Sequence, residues 1–311
     1  MALSKFLDPK NDVAFKRIFG SEDNKNILIR FINDILGLKG AEEVKSVQFL
    51  SPVQDPEISC KKQSVVDVLC KDQSGVQFIV EMQVAPQVGF EKRAQYYASK
   101  AYSRQLNKGQ RDDGKYYNLK EVVFIAITDY VVFPNKKDYK SDHVILDKKT
   151  YEHDLKDFSF TFIELPKFKK DKVEQLETIV EKWCYFFKHA DETSEADMKK
   201  IIEGDEVIEH AYEALNQFNW NEQELLLYEQ ERKRVLDNYN AELYVIEQAE
   251  RKGMEKGMEK GKKEGLEEGM EKGLEKGKLA IAKNMLLQKF DLDTISAVTG
   301  LSLKDLQELL K

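Results

Sequence analysis

The sequence predicts an α/β (α+β) fold with a long helical extension, and three observations carry that expectation. Through about residue 170 the patterns run helix, three strands, helix, strand, then further strands. The stretch "LKEVVFIAITDYVVF" is continuously apolar, as suits a central strand buried on both faces. From about residue 171 the apolar period becomes helical and stays so to the end.

The elements follow in order. "DPKNDVAFKRIFG" reads as a short helix ending at Gly20. In "SEDNKNILIRFINDILGL", Ile27, Leu28, Phe31, Ile32 and Ile35 form one stripe, with Ser21 as N-cap and Gly37 as stop. Strands are expected at about 46–53, 63–71 and 76–84. "GFEKRAQYYASKAYSRQLNKG" is a helix that turns Tyr97, Ala101 and Leu106 to the core. The apolar strand follows, then strands at about 142–147 and 157–164. Helices begin with "KVEQLETIVEKWCYFFKHA", where Trp183, Phe186 and Phe187 read as packing residues. A glycine then recurs at every fourth position from Gly253 to Gly277. Two readings stand side by side: a solvated, partly helical linker, or a helix whose glycines admit a close neighbour. In the last segment Ile281, Met285, Leu286 and Phe290 share one helix face. Asp293 or Thr294 caps a second helix that stops at Gly300, and Ser302 caps a third carrying Leu306, Leu309 and Leu310. That is helix-turn-helix spacing. The third helix offers DNA only Lys304, Gln307 and Lys311, against Asp305 and Glu308, so a packing or oligomerisation role stands beside a DNA role. The expected divisions are 1–170, 171–250, 251–278 and 279–311.

The hairpin "VVDVLCKDQSGVQFIVEMQV" raises the chemical question. Val76, Phe78, Val80, Met82 and Val84 take one face of its second strand, and Gln77, Ile79, Glu81 and Gln83 the other. A three-residue loop Gln73-Ser74-Gly75, closed by Asp72 and Val76 with Gly in the left-handed region, sets Asp67 directly opposite Glu81. A two- or four-residue loop separates them onto opposite faces. Facing carboxylates repel and resist burial unless something neutralises them. A Mg2+ or Mn2+ ion does so; Mg2+ prefers a few carboxylates plus water and phosphate oxygens. The plain alternative is a solvated outer sheet face.

Bulk composition limits the rest. Of 311 residues 41% are hydrophobic and 34% charged, and the net charge is −7. Residues 191–250 carry 17 acids and 5 bases, while 1–190 carry 31 bases and 28 acids. A simple basic nucleic-acid binder is excluded, yet the first part can approach an anion. No apolar run spans a membrane and no signal core opens the chain, so a cytoplasmic protein is expected. Cys60, Cys70 and Cys184 read as reduced packing residues, and the four histidines form no ligand pattern.

Asp67, then Glu81-x-Gln83 on the next strand, resembles the PD-(D/E)XK nuclease superfamily, and within it the Rpn-type recombination-promoting nuclease and transposase family. "DPKNDVAFKRIFG", "DVLCKDQSGVQFIVEMQ", "EKRAQYYASKAYSRQL" and "FIELPKF" carry the resemblance across about residues 6–170. It implies a restriction-endonuclease-like αβββαβ core and metal-dependent DNA endonuclease activity, linked to recombination, mobile elements or defence. By the same resemblance Asp67 and Glu81 are metal ligands and Met82 offers its backbone carbonyl. Gln83 stands where the superfamily usually has Lys. Arg93 or Lys16 could supply the missing charge, and Asp12 could line the site. The rival reading is a catalytically weak DNA-binding or oligomeric interaction protein that keeps the fold; strand joining, as in a transposase, is a third. DNA is the expected partner, with self-association through the C-terminal helices and no membrane.

Overall fold

The computed structural model describes residues 5–54, 64–106 and 116–309. Cys60, the start of the strand expected at 63, Leu310 and Lys311 lie outside the described residues. Contacts divide the chain into two units, 1–237 and 238–311.

In the first unit α1 (Asp12–Phe19) and α2 (Lys25–Leu36) come first. Asn11 caps α1, its Oδ1 accepting from Val13 N and Ala14 N, so Asp12 is left free of the capping role. Ser21 does not cap α2: its hydroxyl donates back to Arg17 O, and a 3-10 turn over Glu22–Asn24 intervenes. Gly37 ends α2 at φ +68, as expected of a left-handed stop. All five residues of the α2 stripe are buried.

The expected strand at 46–53 is interrupted, giving β1 (Val47–Phe49) and β2 (Val53–Gln54). The next is broken as well, into β3 (Ser64–Val65) and β4 (Val68–Asp72). Then come β5 (Gln77–Gln83), α3 (Phe90–Arg104), β6 (Val122–Thr128), β7 (Lys140–Val144) and β8 (Phe158–Glu164). One six-stranded sheet runs β1-β4-β5-β6-β8-β7, and β2 and β3 form a separate pair. β5, β6 and β8 are parallel to one another, whereas β1/β4, β4/β5 and β7/β8 are antiparallel. Every residue of β6 is buried, because helices cover both faces of the sheet.

One face packs Val68, Cys70, Phe78, Val80, Met82, Ile125 and Ile163 against α1, α2 and the later helices. These are α4 (Ile179–His189), α5 (Glu195–Ile202) and α6 (Glu206–Leu215). Trp183, Phe186 and Phe187 are buried there, with Trp183 edge-on to Phe31 at 5.3 Å. The Trp183 indole N–H donates to Asp34 at 2.8 Å, so its one polar atom is satisfied. Cys70 and Cys184 are buried free thiols that burial pushes up to about 12, so they are packing groups. The other face packs Leu69, Ile79, Phe124, Ala126 and Phe162 against Phe90, Ala94, Ala98 and Ala101 of α3. Thus Ile79, expected on a mixed polar face, is core, and α3 lies over the face that carries Glu81.

The helix α7 (Glu222–Leu287) includes the whole glycine repeat, and the seven glycines are exposed. The close-neighbour reading finds no support among the described residues: a Cβ built on any of the seven glycines meets nothing within 4 Å. In the second unit Ala282, Ile295 and Leu306 form a small core over α8 (Leu292–Thr299) and α9 (Leu303–Glu308). Ile281 and Phe290, expected inward, are exposed, and the smaller Ala282 fills the centre instead. Asp291, not Asp293 or Thr294, caps α8; Gly300 stops it at φ +71, and Ser302 caps α9 as expected.

Because nothing opposes a methyl group there, Gly257→Ala, Gly261→Ala and Gly265→Ala should each stabilise α7 by about 1 kcal/mol. Circular dichroism should show more helix and a higher midpoint for its thermal loss. A fall in helix content would mean that a neighbouring helix uses the missing Cβ atoms.

Candidate active site

The hairpin turn sets the register. Asp72 N donates to Val76 O at 2.9 Å, Gly75 N to Asp72 O at 3.2 Å, and Gly75 sits at φ +92. The Asp72 carboxylate also accepts from Ser74 N and Val76 N, which ties the turn from inside. This is the three-residue loop of the sequence argument, and Val68 pairs with Val80 accordingly. Continuing that register by one residue places Asp67 across from Glu81.

Asp67 lies just before β4, where the chain kinks. Val65 is exposed and Val66 fully buried, so the simple alternation of Val65, Asp67 and Leu69 on one face fails at this point. The kink lets the two acids hold each other through the backbone. Asp67 N donates to Glu81 Oε2 at 3.1 Å, and Met82 N donates to Asp67 Oδ2 at 2.9 Å. Each carboxylate therefore has one oxygen fixed by a peptide N–H. The other oxygens face cations beyond hydrogen-bond reach. Asp67 Oδ1 is 3.9 Å from Lys16 Nζ, and Glu81 Oε1 is 3.7 Å from Arg93 Nη2.

The electrostatics follow from burial. Glu81 is 5% exposed; its burial, and then the charge of Asp67, push its carboxyl up to about 8. Burial pushes Asp67 up to about 6, with Asp12 adding to the rise and Met82 N, Lys16 and Arg93 opposing it. Lys16 binds Asp12 at 2.7 Å, and burial holds its pKa down less than Asp12, Asp67 and Glu81 raise it.

All the residues expected from the sequence meet here. Gln83 Oε1 accepts from Arg93, and Gln83 Nε2 donates to Ala85 O at 3.3 Å. Arg93 also donates to Gln87, and its guanidinium lies over the rings of Phe90 at 4.9 Å and Tyr97 at 5.7 Å. Gln87, Phe90 and Tyr97 were not singled out as site residues. Only the helical spacings 90/93 and 93/97 hinted at them, and such pairs are common on any helix.

The donor set suits a divalent cation. Among the described residues, each of the two carboxylates keeps one oxygen that no hydrogen bond holds. In an extended strand a residue's N–H and C=O point to the same flank, so the Met82 carbonyl lies on the Asp67 side. Among the described residues no group of three or more His, Cys, Asp or Glu forms a full metal cage.

Residues 9–245 match the model of the PD-(D/E)XK nuclease family transposase. The chain belongs to this family. Residues 275–311 match the C-terminal HTH domain of the Rpn/YhgA-like nuclease family, in keeping with the helix-turn-helix spacing of α8 and α9. Searches of curated proteins and of solved structures return no match. The six-stranded mixed sheet with α3 between β5 and β6 is the PD-(D/E)XK fold, and the family is one of nucleases that generally use divalent metals. No described helix is long and apolar enough to cross a membrane.

The raised carboxyls make metal-free stability fall with pH. Unfolded, both acids ionise near pH 4; folded, they keep their protons longer, so the folded state binds more protons across that window. The PD-(D/E)XK chain in EDTA should lose melting temperature from about pH 4 up to about pH 8, where Glu81 ionises. Glu81→Gln should flatten that slope and hold or raise the melting temperature at the upper end. An unchanged slope would show that the pair is not strained.

Proposed function

We propose that this protein is a Mg2+- or Mn2+-dependent DNA endonuclease, acting in recombination, mobile-element movement or defence, with Asp67 and Glu81 as its metal ligands. One observation carries the reading: two acids on a buried hairpin face each other, each with one oxygen fixed by backbone and one left open. Such a pair is costly to bury without a cation.

When bound, the ion polarises the scissile phosphate and lowers the pKa of its water. The chain's residues do the rest. Asp67, Glu81 and the Met82 carbonyl hold the ion's place. Arg93 supplies the positive charge that Gln83 lacks, and Gln83 positions it by accepting its N–H. Lys16 adds a second charge beside Asp67. This arrangement is what favours an active enzyme over a weak DNA-binding relic: a cation still stands beside the carboxylate pair. Residues 1–190, with more bases than acids, are the side that DNA approaches, and the helix-turn-helix is a second point of contact.

Self-association through the C-terminal helices belongs to the same reading. Tyr239, Leu243 and Ile246 of α7 are exposed at coiled-coil spacing. Removing residues 238–311, which takes away that seam, should lower the mass seen by light scattering while the first unit stays folded. A full-length monomer would end this part of the proposal.

Asp67→Ala and Glu81→Ala should each reduce Mg2+-dependent plasmid nicking by more than about 100-fold, beyond the 10–100-fold typical of losses outside the ligand set. Gln83→Lys should keep or raise activity. Nicking by Asp67→Ala at the parent's rate would sink the nuclease proposal.

A further inference from the structure

The helix α3 carries more than Arg93. Its sequence is FEKRAQYYASKAYSR, with Lys92, Arg93, Lys100 and Arg104 against the single acid Glu91. The Ala stripe Ala94, Ala98 and Ala101 faces the sheet. The outer flank is aromatic and cationic by turns. Tyr96 is 49% exposed, and its ring centroid lies 6.2 Å from that of Tyr97, tilted by 49°. Arg93 lies over Tyr97, and Lys100 Nζ lies over Tyr96 at 5.7 Å. Lys100 is seven residues beyond Arg93, so the flank extends about 10 Å along the helix. It starts at the carboxylate pair, because the Arg93 guanidinium is 3.7 Å from Glu81.

We infer that this flank, from Arg93 through Tyr96 and Tyr97 to Lys100, holds unpaired nucleotides of the DNA substrate, with a base on the Tyr96 ring and phosphates on the cations. The inference rests on the nuclease reading of the adjoining site and names its substrate class: DNA with single-stranded character at the point of cleavage. Two features decide for unpaired strands over plain duplex. Duplex recognition through the backbone needs only the cations, since paired bases offer no face to a side chain. An exposed tyrosine set between two cations serves single strands, whose bases stack on it whatever their sequence. Nor does the helix itself call for Tyr at position 96. The side chain is half in solvent, and straight-chain residues form helices better.

The test is fluorescence anisotropy with the full chain in EDTA, using a short oligo-dT strand and a duplex of equal length at one ionic strength. Tyr96→Ala should weaken oligo-dT binding by about tenfold, the order that one base stacked on an aromatic ring contributes. Duplex affinity should change by less than about twofold, because phosphate contacts remain. Tyr96→Phe keeps the ring and should bind oligo-dT as the parent does. Equal losses on both probes, no loss on oligo-dT, or no measurable oligo-dT binding by the parent would overturn the inference. The readout needs no cleavage, so a chain that fails to nick plasmid still answers it.

Discussion

Two carboxylates that repel each other inside a sheet covered on both faces are the constraint on which the site depends. Their charge is expensive to bury, and the protein meets part of that expense with its own peptide groups. Asp67 N serves Glu81 and Met82 N serves Asp67, so each acid is held by the backbone of the other's neighbourhood. That cross-bracing needs a specific register, and the register needs a left-handed residue at position 75. An L side chain there is strained and would also press on Lys120, whose Cγ lies 3.3 Å from the built Cβ. A turn at the sheet's edge thus decides the geometry of the acids at the hairpin's other end.

Much of this was legible in the sequence because it follows from short-range rules. The Gly75 loop gave the Asp67–Glu81 pairing, the α2 stripe gave its buried face, and the apolar run gave the central strand. The misses have physical causes. Burial of Ile79 depends on α3 lying over its face, and alternation within one hairpin cannot say what covers it. The kink at Val66 and Asp67 comes from the separate pairing of Val65 with Val53, a contact between distant residues. The props of Arg93 are set by the loop before α3, where Gly89 turns at φ +77. The glycine repeat was ambiguous because propensity alone opposes a helix that Glu and Lys support.

The helical extension is tied to the site through α1. Tyr228, on α7, accepts from Asp8 N and its carbonyl accepts from Asn11 Nδ2, while Glu224 pairs with Arg17. The Arg17 guanidinium also lies over Trp220 at 4.6 Å. Asn11 caps α1 and Arg17 lies near its other end, so the start of α7 holds the helix whose Lys16 faces Asp67. Asp8 shows the cost of that closeness: burial raises its carboxyl, and Lys10, itself paired with Asp129 at 3.0 Å, counters it. Asp129 N in turn donates to Gln83 O. A chain of contacts therefore leads from α7 to the strand that carries Glu81.

In the proposed site, the charge that a lysine at position 83 would supply comes from another element. A lysine on β5 would reach the acids on a flexible stem. Here the strand offers an amide, and the cation comes from α3. Arg93 is planar, permanently charged, clasped by Gln83 and Gln87, and laid over the Phe90 and Tyr97 rings. A guanidinium so confined gives up little freedom on meeting a phosphate. The exchange also has a geometric consequence. A strand lysine ends at the acids, whereas α3 runs on from Arg93 into Tyr96 and Lys100. On the proposed reading, the group that stands in for the lysine's charge is also the first residue of the flank that leads away from the acids.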